Sequence, residues 1–182
     1  MKNRRNSLRI RRLIYAALYL AIALILPFLT GQIPEIGSML CPMHIPVLLC
    51  GFVCGWPYGF AIGLISPILR SLLFGMPPLY PTAVAMMFEL ATYGAVAGVL
   101  YRWLPRNTGC VFAALIGAML AGRIVWGVAQ LVLLQIQGEA FSMAMFIAGA
   151  ITSAVPGIVL HFILIPAVVI ALRRAGLVLN GE

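Results

Sequence analysis

No side chain between Leu13 and Leu29 is charged, and similar apolar runs recur along the chain as far as residue 172. An apolar stretch of about 18 residues or more with few charges is the mark of a membrane-crossing helix. Composition agrees: 63% of the residues are apolar, 9% are charged and the mean hydropathy is +1.08, which no water-soluble domain sustains. The fold class read from the chain is an all-α integral membrane protein. It is expected to be a compact bundle of six transmembrane helices with short loops, a single membrane domain over residues 1–182. The spans fall at about 11–30, 43–56, 58–74, 82–103, 110–134 and 150–173, behind a basic N-terminal stretch over 1–12.

Charge sets the expected orientation. Lys2, Arg4, Arg5, Arg9, Arg11 and Arg12 precede the first span, Arg102 and Arg106 lie between the fourth and fifth, and Arg173 and Arg174 close the last. The remaining loops that hold charge carry Glu35 and Glu139 and no lysine or arginine. The positive-inside rule then places both termini in the cytoplasm, where the basic N-terminus also touches anionic lipid. Pro27-Phe28-Leu29-Thr30 stands where a signal peptide would have its small-residue cleavage site, so the first span is expected to be retained. A helix running unbroken from Phe141 to Arg174 would reach ~50 Å against ~30 Å of hydrocarbon. Residues 141–150 are therefore read as a short helix on the outer face, followed by a turn near Pro156-Gly157.

The residues that are missing exclude several chemistries. There is no aspartate, and the acids are Glu35, Glu89, Glu139 and Glu182, too dispersed to hold the divalent cations that phosphate-handling membrane enzymes use. No Gly-rich phosphate loop is present and the only lysine is Lys2, so the chain has no ATPase site of its own. Cys41, Cys50, Cys54 and Cys110 have neither CxxC nor zinc-type spacing and read as small packing residues, with no metal and no disulfide. No cofactor and no nucleic-acid partner is expected.

The second span is informative because it is short. From Met43 to Trp56 a helix covers ~21 Å, less than the hydrocarbon thickness. Pro42 and Pro46 fit a helix start, so this helix is expected to begin below the outer surface, with the preceding loop dipping inward. A helix N-terminus facing a cavity favours an anion. Pro67 is expected to bend the third span just before Arg70. The loop Met76-Pro77-Pro78-Leu79-Tyr80-Pro81-Thr82 is stiffened by three prolines and reads as a lid carrying Tyr80.

Three charges fall inside the apolar runs: Arg70, Glu89 and Arg123. An ionisable residue at bilayer depth costs ~2.5–3.5 kcal/mol or more and usually marks a pathway or a site. Their sum of plus one suggests a ligand with one negative charge. Arg123 lies mid-span, and its guanidinium fork suits a carboxylate. Trp126 and Gln130 follow it by three and seven positions on the same helical face, a lining for a polar ligand with an apolar body. Glu89 reads equally as a ligand-orienting group and as a structural ion-pair partner of Arg123 or Arg70. Arg70 reads as a ligand residue at the rim or as a snorkelling anchor. His44 either donates to a ligand or is satisfied by neighbouring backbone, and His161, among Leu160, Phe162 and Ile163, reads as structural.

Small residues mark close helix packing. Ala17 and Ala21, four apart in the first span, would let another helix approach, either within this chain or from a partner. Gly51, Gly55, Gly59 and Gly63 repeat at the same interval, and for them internal packing is expected.

The basic N-terminus leading into an alanine-bearing first helix, with Pro42-Met43-His44-Ile45-Pro46-Val47 through Gly51 and Gly55-Trp56-Pro57-Tyr58-Gly59, resembles the substrate-specific S components of energy-coupling-factor (ECF) vitamin transporters over essentially the whole chain. The resemblance implies a subunit of a prokaryotic cytoplasmic membrane that captures a vitamin from outside. It would work with a coupling transmembrane subunit and two cytoplasmic ATPase subunits. Ala17 and Ala21 would then be the docking motif for the coupling subunit. The vitamin cavity would map to the loop before His44, the loop around Tyr80, and Glu89, Arg123 and Trp126. Among vitamins, one net positive charge and few clustered aromatics favour pantothenate, with folate-type compounds next. A small membrane-embedded enzyme and a stand-alone transporter are the alternatives from other classes. The first is opposed by the missing catalytic motifs and the second by the lack of two-fold internal symmetry.

Overall fold

The computed structural model describes residues 2–30, 39–105, 107–139, 142–149 and 154–181. Their regular structure is all helical, with no strand among them: α1 (Lys2–Ile25), α2 (His44–Cys54), α3 (Trp56–Phe74), α4 (Val84–Trp103), α5 (Thr108–Ile136), α6 (Met143–Ile147) and α7 (Val155–Arg174). A 3-10 turn over Leu26–Thr30 extends α1, and a π turn over Leu79–Ala83 leads into α4.

Among the described residues, five stretches are long and apolar enough to cross a membrane: Asn6–Leu29, Trp56–Phe74, Leu79–Trp103, Thr108–Ile136 and Val155–Arg174. The sixth expected span is α2. At 11 residues it covers only ~16 Å, shorter even than its sequence suggested. Every residue of α2 is buried, as an all-round apolar helix requires, and α1, α3, α4 and α7 surround it. The basic residues before Leu13 form one continuous helix with the first span, since no glycine or proline interrupts them. Pro67 lies within α3, which continues past it to Phe74. The short outer helix is α6, whose Ser142 hydroxyl accepts from the Met145 N–H at 3.2 Å. The helix expected to begin at 150 begins at Val155, with Pro156 in its first turn.

Glycine holds the centre together. A Cβ at Gly51 or Gly59 would fall on the Gly94 carbonyl, one at Gly63 on the Leu90 carbonyl, and one at Gly98 on the Trp56 backbone. Backbone of α2 and α3 therefore lies directly on backbone of α4, which is the internal use expected of this repeat. Gly55 serves differently: its φ of 96° makes the turn between α2 and α3. At that end of α2 the C-terminal tail returns into the bundle. The Leu179 N–H donates to the Val53 carbonyl (2.8 Å), and the Asn180 amide donates to the Gly98 carbonyl (2.9 Å). Arg12 of α1 reaches the Leu179 carbonyl (2.6 Å), so the tail ties α1 to the core.

Candidate functional site

The other end of α2 carries a buried polar cluster. The α2 entry is set by Cys41, whose φ is 47° and whose carbonyl accepts from the His44 N–H (3.0 Å). His161 on α7 also bonds the Cys41 backbone, and the His44 and His161 rings stack at 6.0 Å. From α4, pressed in by the glycine contacts, Glu89 brings its Oε1 within 3.4 Å of His44 Nε2 and 3.1 Å of Arg123 Nη1. Tyr93, one turn further along α4, donates its hydroxyl to Glu89 and packs edge-on to His44 with centroids 5.2 Å apart. Gly122 on α5 leaves room for the Tyr93 ring directly beside Arg123. Arg123 also approaches the Cys41 sulfur at 3.9 Å.

Glu89, His44 and His161 are 2–3% exposed, out of reach of bulk water. Yet Glu89 Oε1, both nitrogens of His44, His161 Nε2 and Arg123 Nε find no aligned hydrogen-bond partner among the described residues. The contacts to Glu89 are close without being well directed. Buried polar atoms are nearly always paired, and a group of unpaired ones on facing helices is the pattern of a polar binding site. The described residues contain no group of three His, Cys, Asp or Glu side chains placed to hold a metal ion.

The residues singled out from sequence separate into groups. His44, Glu89 and Arg123 come together. Trp126 is on the Arg123 face of α5 but packs against Phe146 of α6, with centroids 6.2 Å apart, and Gly149 lies against its indole. Gln130 is half-buried further along the same helix. Tyr80 donates its hydroxyl to the Leu133 carbonyl near the end of α5 (2.7 Å), strapping the π turn to that helix. Arg70 does not join the cluster. Its guanidinium donates to the Leu24 carbonyl of α1 and lies over the rings of Phe28 and Phe74, at 4.8 and 5.3 Å. Ala17 and Ala21 are exposed on the outer face of α1, while Ala16, Tyr19 and Ala23 point inward. The loop before His44 falls largely on residues 31–38, outside the described residues.

Sequence reasoning missed Tyr93 and Cys41 and read His161 as structural. Tyr93 had a signal, since it lies four residues after Glu89 and so on the same helical face. The role of Cys41 comes from a positive φ, which nothing in the sequence announces.

The protein is a bundle of membrane-length helices with a buried acid, guanidinium and imidazole cluster at the N-terminal end of a short central helix. The chain matches the family described as ECF transporter, substrate-specific component, over residues 11–170, and it belongs to that family. The family is one of transporter subunits, not enzymes, whose members take up a substrate together with an ECF module. Neither the curated proteins nor the solved structures compared with the chain gave a match.

Proposed function

We propose that this subunit captures a water-soluble vitamin or vitamin precursor carrying one carboxylate, with pantothenate the leading candidate. The observation that carries the reading is the unfinished hydrogen bonding of Arg123, Glu89, His44 and His161 within one buried cluster. A ligand carboxylate on the open side of the Arg123 guanidinium, with hydroxyl or amide groups toward the histidines and Glu89, would complete it. The placement of Arg70 changes the charge argument. One plus from Arg123 and one minus from Glu89 leave the ion pair neutral, so the preference for an anion rests on the geometry of Arg123 rather than on net charge.

The nearby aromatic rings are already paired, His44 with Tyr93 and Trp126 with Phe146, which favours a non-aromatic ligand over a stacked pterin. A folate-type compound is the next candidate. In this reading the chain is a single membrane domain of six passes, α2 counting as the second, in a prokaryotic cytoplasmic membrane with both termini inside. The outer face of α1, with Ala17 and Ala21, docks on a coupling transmembrane subunit served by two cytoplasmic ATPases. Calorimetric titration of the purified protein with pantothenate and with folate tests the substrate: saturable pantothenate binding is expected, and tight folate binding with none for pantothenate would reverse the choice.

A further inference from the structure

Arg70 is 2% exposed, and no carboxylate pairs with it among the described residues. A buried cation so placed must be compensated by something else. Two features of the end of α1 supply it. The first is the Leu24 carbonyl in the last turn of α1, which accepts from the Arg70 guanidinium on α3. The second is the pair of rings, Phe28 and Phe74, packed edge to face at 4.9 Å, over which the guanidinium lies. A cation at a helix C-terminus is also favoured by the dipole.

The contact matters because it adds a directed bond to the apolar packing of α1, in which Tyr15, Tyr19, Leu20 and Leu26 lie against the core. The large side chains Leu13, Ile14, Leu18, Ile22 and Ile25 face outward with Ala17 and Ala21, and two of the three fully inward residues, Ala16 and Ala23, offer only a methyl group. Both ends are also held by arginine bonds to backbone carbonyls, Arg12 to Leu179 at one end and Arg70 to Leu24 at the other. We propose that Arg70 is a positioning residue for partner docking: it sets the rotation of α1 and so the outward presentation of Ala17 and Ala21 to the coupling subunit. The proposal rests on the reading of α1 as the docking helix, and it removes Arg70 from ligand contact.

The test uses the full chain co-expressed with its coupling module. Arg70→Met keeps the length and apolar bulk while removing every donor, and Arg70→Lys restores a cation and a donor. The expected result for Arg70→Met is a loss of about tenfold in recovered complex, with pantothenate affinity of the isolated subunit within about twofold of the unmodified chain. Arg70→Lys should recover part of the assembly. Ala17→Leu with Ala21→Leu serves as the control for the docking reading. If that pair leaves assembly intact, the docking reading fails and the proposal falls with it. If the pair abolishes assembly and Arg70→Met does not, the positioning role alone is wrong. Lost pantothenate affinity with intact assembly would make Arg70 a ligand residue, and equal loss of both, unrelieved by lysine, would make it a general fold contact. Should the unmodified chain not bind pantothenate, the substrate assignment fails, and the assembly arm with its lysine rescue still decides Arg70.

Discussion

Arg123 and Arg70 are alike in sequence, each a guanidinium within an apolar helix, and they solve the problem of burial in opposite ways. Arg123 faces a carboxylate, a hydroxyl-bearing ring and two imidazoles from α2, α4 and α7, and the group remains incompletely bonded. Arg70 donates to the Leu24 carbonyl of α1 and lies over the faces of two phenylalanines. The first has bonding capacity left for a ligand, and the second has spent its own on the fold. Intramembrane charge therefore locates an interaction without saying which kind, and the partners on neighbouring helices decide it.

The comparison breaks most severely if the base of the Arg123 cluster is removed. Gly94→Val would drive a side chain into the Gly59 backbone, at a cost above ~3 kcal/mol, and is expected to abolish monodisperse protein in detergent chromatography. A well-folded variant would show that the α3–α4 contact is dispensable. Next in size, Arg123→Ala leaves Glu89 buried beside only neutral or titratable groups. Losing the arginine's charge-assisted bonds to a ligand carboxylate is expected to cost ~1.5–3 kcal/mol, read as a fall of about 10- to 150-fold in ligand affinity, against little change for Arg70→Met. Similar losses for the two arginines would erase the distinction.

A double-mutant cycle then sharpens it. Glu89→Gln and Arg123→Gln should show a coupling of ~1–3 kcal/mol in thermal stability, whereas Glu89→Gln and Arg70→Gln should be additive. The smallest effect is expected from Tyr80→Phe. It removes one hydroxyl bond to Leu133, worth ~0.5–1.5 kcal/mol, and should speed ligand release severalfold in a stopped-flow displacement assay while leaving the cluster intact. Unchanged release would deny the strap any part in ligand exchange.

Much of this architecture could be read from hydrophobicity alone. The apolar runs are long, and their ends coincide with prolines, glycines and arginines, so the spans at 58–74, 82–103 and 110–134 come within two residues of the observed helices. The start of α7 could not be placed that way, because the stretch before it is as apolar as the helix itself. Within the site, Glu89 and Arg123 were visible as isolated charges, and their ion pair is one of the arrangements the sequence left open. Arg70 was visible by the same signal, but its partners were not, because a carbonyl and two rings do not look polar in sequence. Tyr93 and Cys41 went unnoticed because a tyrosine and a cysteine in apolar surroundings carry no charge to draw attention.

The glycine contacts beneath the cluster have a mechanical meaning. Where backbone rests on backbone there are no rotamers to rearrange and no side-chain volume to compress, so α2, α3 and α4 behave as one stiff block with Glu89 and His44 fixed upon it. Compliance has to reside elsewhere, in elements joined to that block by single bonds or loose ring contacts: the turn held by Tyr80 and the five-residue α6 resting on Trp126. A molecule entering this protein meets a rigid floor and yielding walls.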